Sequence, residues 1–87
     1  MVSAKVVIMN LAGLHLRPAG ILCKEAMLFQ SSIKLKFNNR TVNAKSILGV
    51  LGACVKSHDE VEFICDGDDE EEALAAMIKV VQDGLGE

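Results

Sequence analysis

The chain is organised around residues 13–19, which read GLHLRPA. This stretch contains Pro18, the only proline, and His15, one of only two histidines. Because proline fixes φ and lacks an N–H, it fits the first turn of a helix, where that N–H would have no intrahelical partner. We therefore predict a helix that begins at about His15 or Leu16, with Gly13 giving the backbone the freedom to turn into it.

The predicted helix start is suited to an anion. Free backbone N–H groups and the positive end of the helix dipole would lie beside His15. Arg17, in the same turn, carries a planar, permanently charged guanidinium that matches the geometry of a phosphate. Since a neutral imidazole is a competent nucleophile near pH 7, these residues indicate a histidine that carries phosphate. The alternative, on the residues alone, is a histidine that only caps the helix.

Length and composition limit the class of protein. The 87 residues, 51% hydrophobic and 24% charged, predict one globular domain over residues 1–87. A net charge of −3 and only three aromatic residues, all Phe, argue against nucleic-acid binding. No apolar run reaches the roughly 20 residues of a membrane span, and no signal-peptide pattern is present, so we expect a cytoplasmic protein without membrane insertion.

The cysteines and carboxylates do not suggest a cofactor or metal. Cys23, Cys54 and Cys65 are odd in number, far apart and without a Cys-x-x-Cys pair, so we expect reduced thiols packed in the core. The acidic run 68–72 lies where a helix dipole favours negative charge, and we interpret it as the first turn of a helix. His58 is interpreted as a surface turn residue.

Hydrophobic periodicity predicts the element order β-α-β-β-α-β-α. The clearest strand alternates apolar and polar residues, and the pair Asn38-Asn39 after it suits a hairpin turn because Asn tolerates positive φ. The economical arrangement is an α+β fold, with a four-stranded antiparallel sheet and three helices on one face. The predicted strands are 4–9, 32–37, 40–43 and 60–65, and the predicted helices are 16–28, one within 44–55, and one that follows the acidic run and stops at Gly84.

A second unusual stretch follows Ser46, a good helix N-cap. Ile47, Leu48 and Leu51 lie in a short helix that is apolar around most of its circumference. One sheet cannot bury all of these side chains, so we expect an exposed apolar patch that docks a partner. The alternative is a short helix that is simply buried.

Residues 13–19, followed by residues 43–50, which read NAKSILGV, closely resemble HPr. HPr is the histidine-containing phosphocarrier protein of the bacterial phosphoenolpyruvate-dependent sugar phosphotransferase system. The resemblance spans essentially the whole chain, and the two motifs at this separation make it specific. It implies an open-faced β-sandwich.

The resemblance also implies a function. His15 would accept a phosphoryl group on Nδ1 from phosphorylated enzyme I and pass it to the EIIA domains of sugar permeases, with Arg17 stabilising the phosphate. Such a protein is a stoichiometric carrier and not an enzyme, it needs no cofactor, and we expect a monomer. The predicted docking face comprises Leu16, Gly20, Lys24, Ile47, Leu48 and Leu51.

Ser46 carries a regulatory hypothesis from the same resemblance. In the Gram-positive branch of the family, a dedicated HPr kinase/phosphorylase phosphorylates the equivalent serine, and a catabolite control regulator is a further expected partner. A phosphate at Ser46 would bring negative charge to the apolar docking face, so binding to enzyme I should weaken. The alternative function is an HPr-like regulatory module, in nitrogen or catabolite control, that acts through Ile47, Leu48 and Leu51.

Overall fold

Three helices and four strands follow one another in the predicted order in a computed structural model that describes all residues 1–87. None of the helices is both long and apolar enough to cross a membrane. The strands are β1 (Val2–Val7), β2 (Ser32–Phe37), β3 (Arg40–Asn43) and β4 (Glu60–Asp66), and the helices are α1 (Leu16–Ala26), α2 (Ile47–Gly52) and α3 (Glu70–Gln82).

The four strands form one antiparallel sheet in the order β1-β4-β2-β3. β2 and β3 are joined by Asn38 and Asn39, which both have positive φ, as the predicted hairpin turn requires. Alternate residues of β2 and β4 are buried, so one face of the sheet is covered and the other meets solvent. The predicted open-faced β-sandwich is confirmed.

The covered face of the sheet and the three helices enclose a single core of 19 buried apolar residues. α3 packs over β1 and β4, α1 lies between α3 and α2, and α2 lies towards β3. This arrangement places α3 at one edge of the molecule and α2 at the other. The largest fully buried side chains are Phe63, Ile8, Leu22, Ile33, Leu35 and Met77.

Four predicted element boundaries were wrong, namely both ends of β1, the end of the first helix and the end of β4, which extends to Asp66. β1 begins two residues earlier than residue 4 and ends at Val7, because its pairing with β4 runs from Val2 opposite Cys65 to Val7 opposite Glu60. The first helix ends at Ala26 and not at residue 28. The amides of Leu28 and Phe29 bond to carbonyls three residues back, which tightens the last turn and stops the helix.

The prediction of three core cysteines was wrong for one of them. Cys23 and Cys65 are buried, and burial raises the pKa of the Cys65 thiol. Cys54 is exposed, because the chain turns after α2 with a left-handed φ of 58° at this residue. All three thiols are free.

Asp69 ties the loop between α1 and β2 to the start of α3. Its carboxylate accepts hydrogen bonds from the amides of Gln30 and Ser31, each 2.9 Å long, and from the Ser31 hydroxyl. These donors, with the hydroxyl first, lower the pKa of Asp69 from 3.8 to about 2. Ser31 is buried, so Asp69 satisfies a hydroxyl that would otherwise lack a partner.

We expect Asp69→Asn to lower the melting temperature. We also expect the melting temperature of this variant to change less with pH in the acid range. Because the folded-state pKa is depressed, the carboxylate stabilises the fold fully above the unfolded value, and this contribution is lost as pH falls through about 2. Circular dichroism melts between about pH 5 and about pH 2 measure the effect. The matched control is Asp68→Asn, on the exposed neighbour. Parallel melting curves for wild type and Asp69→Asn would contradict the assignment.

Candidate functional site

His15 is the N-cap of α1 and has an extended backbone, as the sequence predicted. Its carbonyl oxygen accepts the first hydrogen bond of the helix, 2.8 Å from the amide nitrogen of Ala19, whereas its exposed imidazole makes no cap hydrogen bond. The amides of Leu16 and Arg17 have no carbonyl partner within the chain, and Pro18 has no N–H to offer. The start of α1 therefore presents open N–H donors beside a free imidazole, which favours an anion there.

The loop before His15 is held against the segment that follows α2. The amide of the buried Leu14 donates to the carbonyl oxygen of Val55 over 3.0 Å. Gly13 has a φ of 65°, and a Cβ built on it would lie 2.8 Å from the Val55 oxygen and from Lys56 Cα. Only glycine allows this close approach, so Gly13 and Leu14 together fix the point at which His15 emerges.

Asn10 braces the same loop, a role that the sequence analysis missed. Its Nδ2 donates to the carbonyl oxygen of Gly13 over 2.9 Å and to Oε2 of Glu87 over 3.3 Å, while its backbone carbonyl oxygen accepts from the Gly13 amide. The side chain is buried, and both neighbours of Nδ2 are acceptors, which fixes the orientation of the amide. The available signal was an Asn three residues before a Gly, a common turn pattern.

Arg17 is exposed on the first turn of α1, and no carboxylate of the chain forms an ion pair with it. Its guanidinium is therefore available to an external anion. A shallow pocket lies beside His15. Leu51 and the exposed Cys54 line this pocket together with the histidine. The complete lining is Leu14, His15, Leu51, Cys54, Val55 and Lys56.

The predicted docking residues lie in three places. A groove between α1 and α2 contains four of them and also Ser46. Leu51 lies instead in the pocket beside His15, and Leu16 is 69% exposed on α1. The groove is lined by Gly20, Cys23, Lys24, Met27, Lys45, Ser46, Ile47 and Leu48.

The groove exposes apolar surface, which confirms the expectation of an apolar patch at α2. Leu48 is 82% exposed, Ile47 is 42% exposed, and Met27 of the same groove is 64% exposed. Val50 is the buried residue of α2 and anchors the helix to the core. An exposed patch of this kind is typical of a surface that binds another protein.

Ser46 caps α2, as predicted. Its Oγ accepts a hydrogen bond from the amide of Gly49 over 3.1 Å, and its carbonyl accepts from Val50. The neighbouring Lys45 donates from Nζ to the carbonyl oxygen of Phe29 over 2.7 Å, which ties the start of α2 to the segment that follows α1. The hydroxyl therefore lies at a helix start on the rim of the apolar groove.

The structure thus combines an open-faced β-sandwich with a helix start that presents an exposed histidine and unpaired N–H donors. Residues 2–83 match the family model PTS-HPr, described as the PTS HPr component phosphorylation site. The chain belongs to the HPr family. Membership of this family supports a phosphocarrier role. That role is consistent with a protein that carries a group and does not catalyse a reaction itself.

Two relatives, one of them matched both by sequence and by structure, illustrate the similarity. The HPr-like protein Crh of Bacillus subtilis (strain 168) is 40% identical over 83 residues, which is 95% of this chain and 98% of Crh. The crystal structure of HPr-C-His from Thermoanaerobacter tengcongensis superposes with a TM-score of 0.97 at 38% identity, covering 100% of this chain and 98% of that one. The crystal structure of the Bacillus subtilis catabolite repression protein Crh, a swapped dimer, has a TM-score of 0.78 at 39% identity and 97% coverage of both chains.

Substitution by alanine should have opposite effects on the stability of the fold at two glycines near the site. Gly13→Ala is expected to destabilise the fold by at least about 1–2 kcal/mol, because it forces an L-residue into the left-handed region against Lys56. Gly20→Ala is expected to stabilise it by about 1 kcal/mol, because a Cβ there meets no atom within 4 Å and alanine favours the helix. Urea unfolding measures both changes, and a shared sign would refute the roles given to these glycines.

Proposed function

We propose that this chain carries a phosphoryl group on His15 from phosphorylated enzyme I to the EIIA domains of sugar permeases, in the cytoplasm. The observation that supports the proposal most strongly is the open start of α1, where a free imidazole, two unpaired amides and the Arg17 guanidinium lie within one turn. In solution these groups would face water. A bound phosphoryl group would supply their acceptors.

The proposed transfer requires only the side chain of His15 and the donor phosphoryl group. Nδ1 of the neutral imidazole attacks phosphorus, the new N–P bond forms as the donor's bond to phosphorus breaks, and the donor group leaves with that electron pair. The amides of Leu16 and Arg17 and the Arg17 guanidinium then hydrogen-bond the phosphoryl oxygens. Passage to the next acceptor reverses these events, so no separate catalytic group is needed on this chain.

Partner docking is assigned to the groove between α1 and α2. Its exposed Ile47 and Leu48 provide apolar contact area, and Lys24 provides a positive charge at the edge. A complementary partner surface would be apolar with a carboxylate opposite Lys24. Because one chain holds the acceptor, the guanidinium and the groove, a single copy is sufficient for transfer.

His15 and Arg17 can be tested with phosphoenolpyruvate and enzyme I. Wild type should gain one acid-labile phosphoryl group, seen by intact-mass analysis, and His15→Ala should gain none. Arg17→Ala should slow phosphorylation on the order of 10²-fold, since it removes a charged donor from the transferred group.

Lys34→Ala is the control for Arg17→Ala, because it removes a positive charge from the solvent face of the sheet, away from His15. It should leave the rate unchanged. Phosphorylation of His15→Ala to the wild-type level would refute the carrier assignment.

A second candidate is an HPr-like regulatory module. The 40% identity to Crh, an HPr-like protein, supports it. In that case the α1–α2 groove would bind its regulatory partner, such as a catabolite control regulator, while His15 would gain no phosphate from enzyme I. The phosphorylation assay therefore separates the two candidates directly.

We also propose that HPr kinase/phosphorylase phosphorylates Ser46. A phosphate there adds about −1.5 to −2 charges at a helix start, and its oxygens can still accept from the Gly49 amide, so the fold should persist. The same charge would lie beside Ile47 and Leu48. Docking of a partner there would remove water from the phosphate, which costs free energy. Phosphorylation of Ser46 would therefore weaken binding to enzyme I.

Ser46→Asp should reduce the rate of enzyme I-dependent phosphorylation, while its circular dichroism spectrum stays that of wild type. Ser32→Asp, on an exposed serine of β2 outside the groove, is the matched control and should react like wild type. With the kinase and ATP, wild type should gain phosphate and Ser46→Ala should not. Equal rates for Ser46→Asp and Ser32→Asp would refute the regulatory effect.

A further inference from the structure

The edge of the sheet farthest from α2 carries an apolar groove that the proposed function does not use. β1 is paired only with β4, so its outer backbone groups have no neighbouring strand. Beside this edge, α3 overhangs a groove with an apolar centre and charged ends. The groove is lined by Val2, Ala4, Glu71, Leu74, Ala75, Ile78, Lys79 and Gln82.

α3 has two stripes at helical spacing, and only one of them faces the core. Ala73, Met77 and Val81 are buried. The second stripe, formed by residues 71, 74, 75, 78, 79 and 82, lines the groove, and Leu74 and Ile78 within it are only half-buried. A second apolar stripe on a peripheral helix is the pattern of a helix that contacts a partner.

We infer that the β1 edge and this outer stripe of α3 form a self-complementary surface, through which two copies of the chain associate into a rapidly exchanging dimer. The two sheets join across β1, and the two α3 helices pack above the junction. The interface is isologous, so each contact occurs twice.

The sequence of β1 supports antiparallel pairing about a twofold axis at Ala4. This register sets Ala4 opposite Ala4 of the second copy, Val2 opposite Val6 on the covered side, and Ser3 opposite Lys5 on the solvent side. Apolar residues therefore meet apolar residues, and no two lysines face each other, which favours the pairing. A small residue at the axis allows the two edges to approach closely.

The charges on α3 are arranged about Ala75 in the same way. Glu71 and Lys79 lie four residues on either side of Ala75, and neither forms an ion pair within the chain. Two α3 helices that cross antiparallel at Ala75 would set Glu71 of each copy against Lys79 of the other. The symmetry therefore yields two ion pairs at the rim of an apolar contact.

The spacing of the layers is compatible with both contacts at once. Paired strands lie about 4.8 Å apart. α3 packs over β1 and β4 and also touches β2. With its axis about half a strand spacing inside the edge, the two helices of the dimer would lie about 10 Å apart. Packed helices are separated by about 8–10 Å, so the strand edges and the helices can meet together.

This surface is separate from the proposed phosphocarrier site. No residue of the β1–α3 groove lines the α1–α2 groove or the pocket beside His15. A dimer formed here would leave His15 open on both copies. It replaces the expected monomer with a reversible dimer, and it differs from the swapped dimer of Crh because each β1 stays with its own β4.

Charge reversal at the two rim positions tests the inference. In Glu71→Lys and in Lys79→Glu, both symmetric ion pairs become like-charge contacts, so each variant alone should raise the dimer dissociation constant about tenfold. Sedimentation velocity from about 10 µM to about 1 mM measures it. When the two variants are mixed, both pairs are again opposite in charge, and the mixed dimer should form more tightly than either variant alone.

Glu72→Lys is the control, because it changes the net charge equally at an exposed position outside the stripe. It should dimerise like wild type. A wild type that stays monomeric at about 1 mM, or a mixture no tighter than the single variants, would overturn the inference.

A dimer that fails to dissociate within minutes of dilution would also overturn it, because slow dissociation indicates a swapped strand. Phosphorylation of His15 in both variants should match wild type. Failure of the dimer is thereby distinguishable from failure of the phosphocarrier proposal.

Discussion

The contact between the loop before α1 and the segment after α2 is the constraint on which the site depends. The Leu14–Val55 hydrogen bond and the close approach of Gly13 to Lys56 join two parts of the chain that are about 40 residues apart in sequence. Because Leu14 is buried, the next residue, His15, must emerge at the surface where α1 begins. The core thus sets the position of the imidazole.

Much of this arrangement could be predicted from local sequence, because local rules decide it. Pro18 defines the start of α1, Ser46 defines the start of α2, and the Asn38-Asn39 turn defines the β2–β3 hairpin. The errors arose where tertiary contacts decide. β1 begins at Val2 because β4 offers a partner that far, and no pattern within residues 1–9 carries this information.

The site was predicted as a set of residues but not as a geometry. His15, Arg17 and Ser46 occupy the expected helix starts, because caps and prolines act over three or four residues. The brace from Asn10 to Glu87 was missed because its partners are 77 residues apart. Cys54 was missed because apolar neighbours suggested burial, whereas the turn after α2 directs it outwards beside His15.

The groups assigned to function share one physical property, which is that the isolated chain does not satisfy them. The amides of Leu16 and Arg17 have no acceptor, Leu48 is mostly exposed, and the outer edge of β1 has no neighbouring strand. By contrast, Asp69 and Lys45 engage the groups that hold the helices and loops in place. These structural groups are bonded within the fold, although Oδ1 of the buried Asn10 is not. The groups assigned to function are left open, because a group already bonded within the fold has little free energy left to give to a phosphate or a partner.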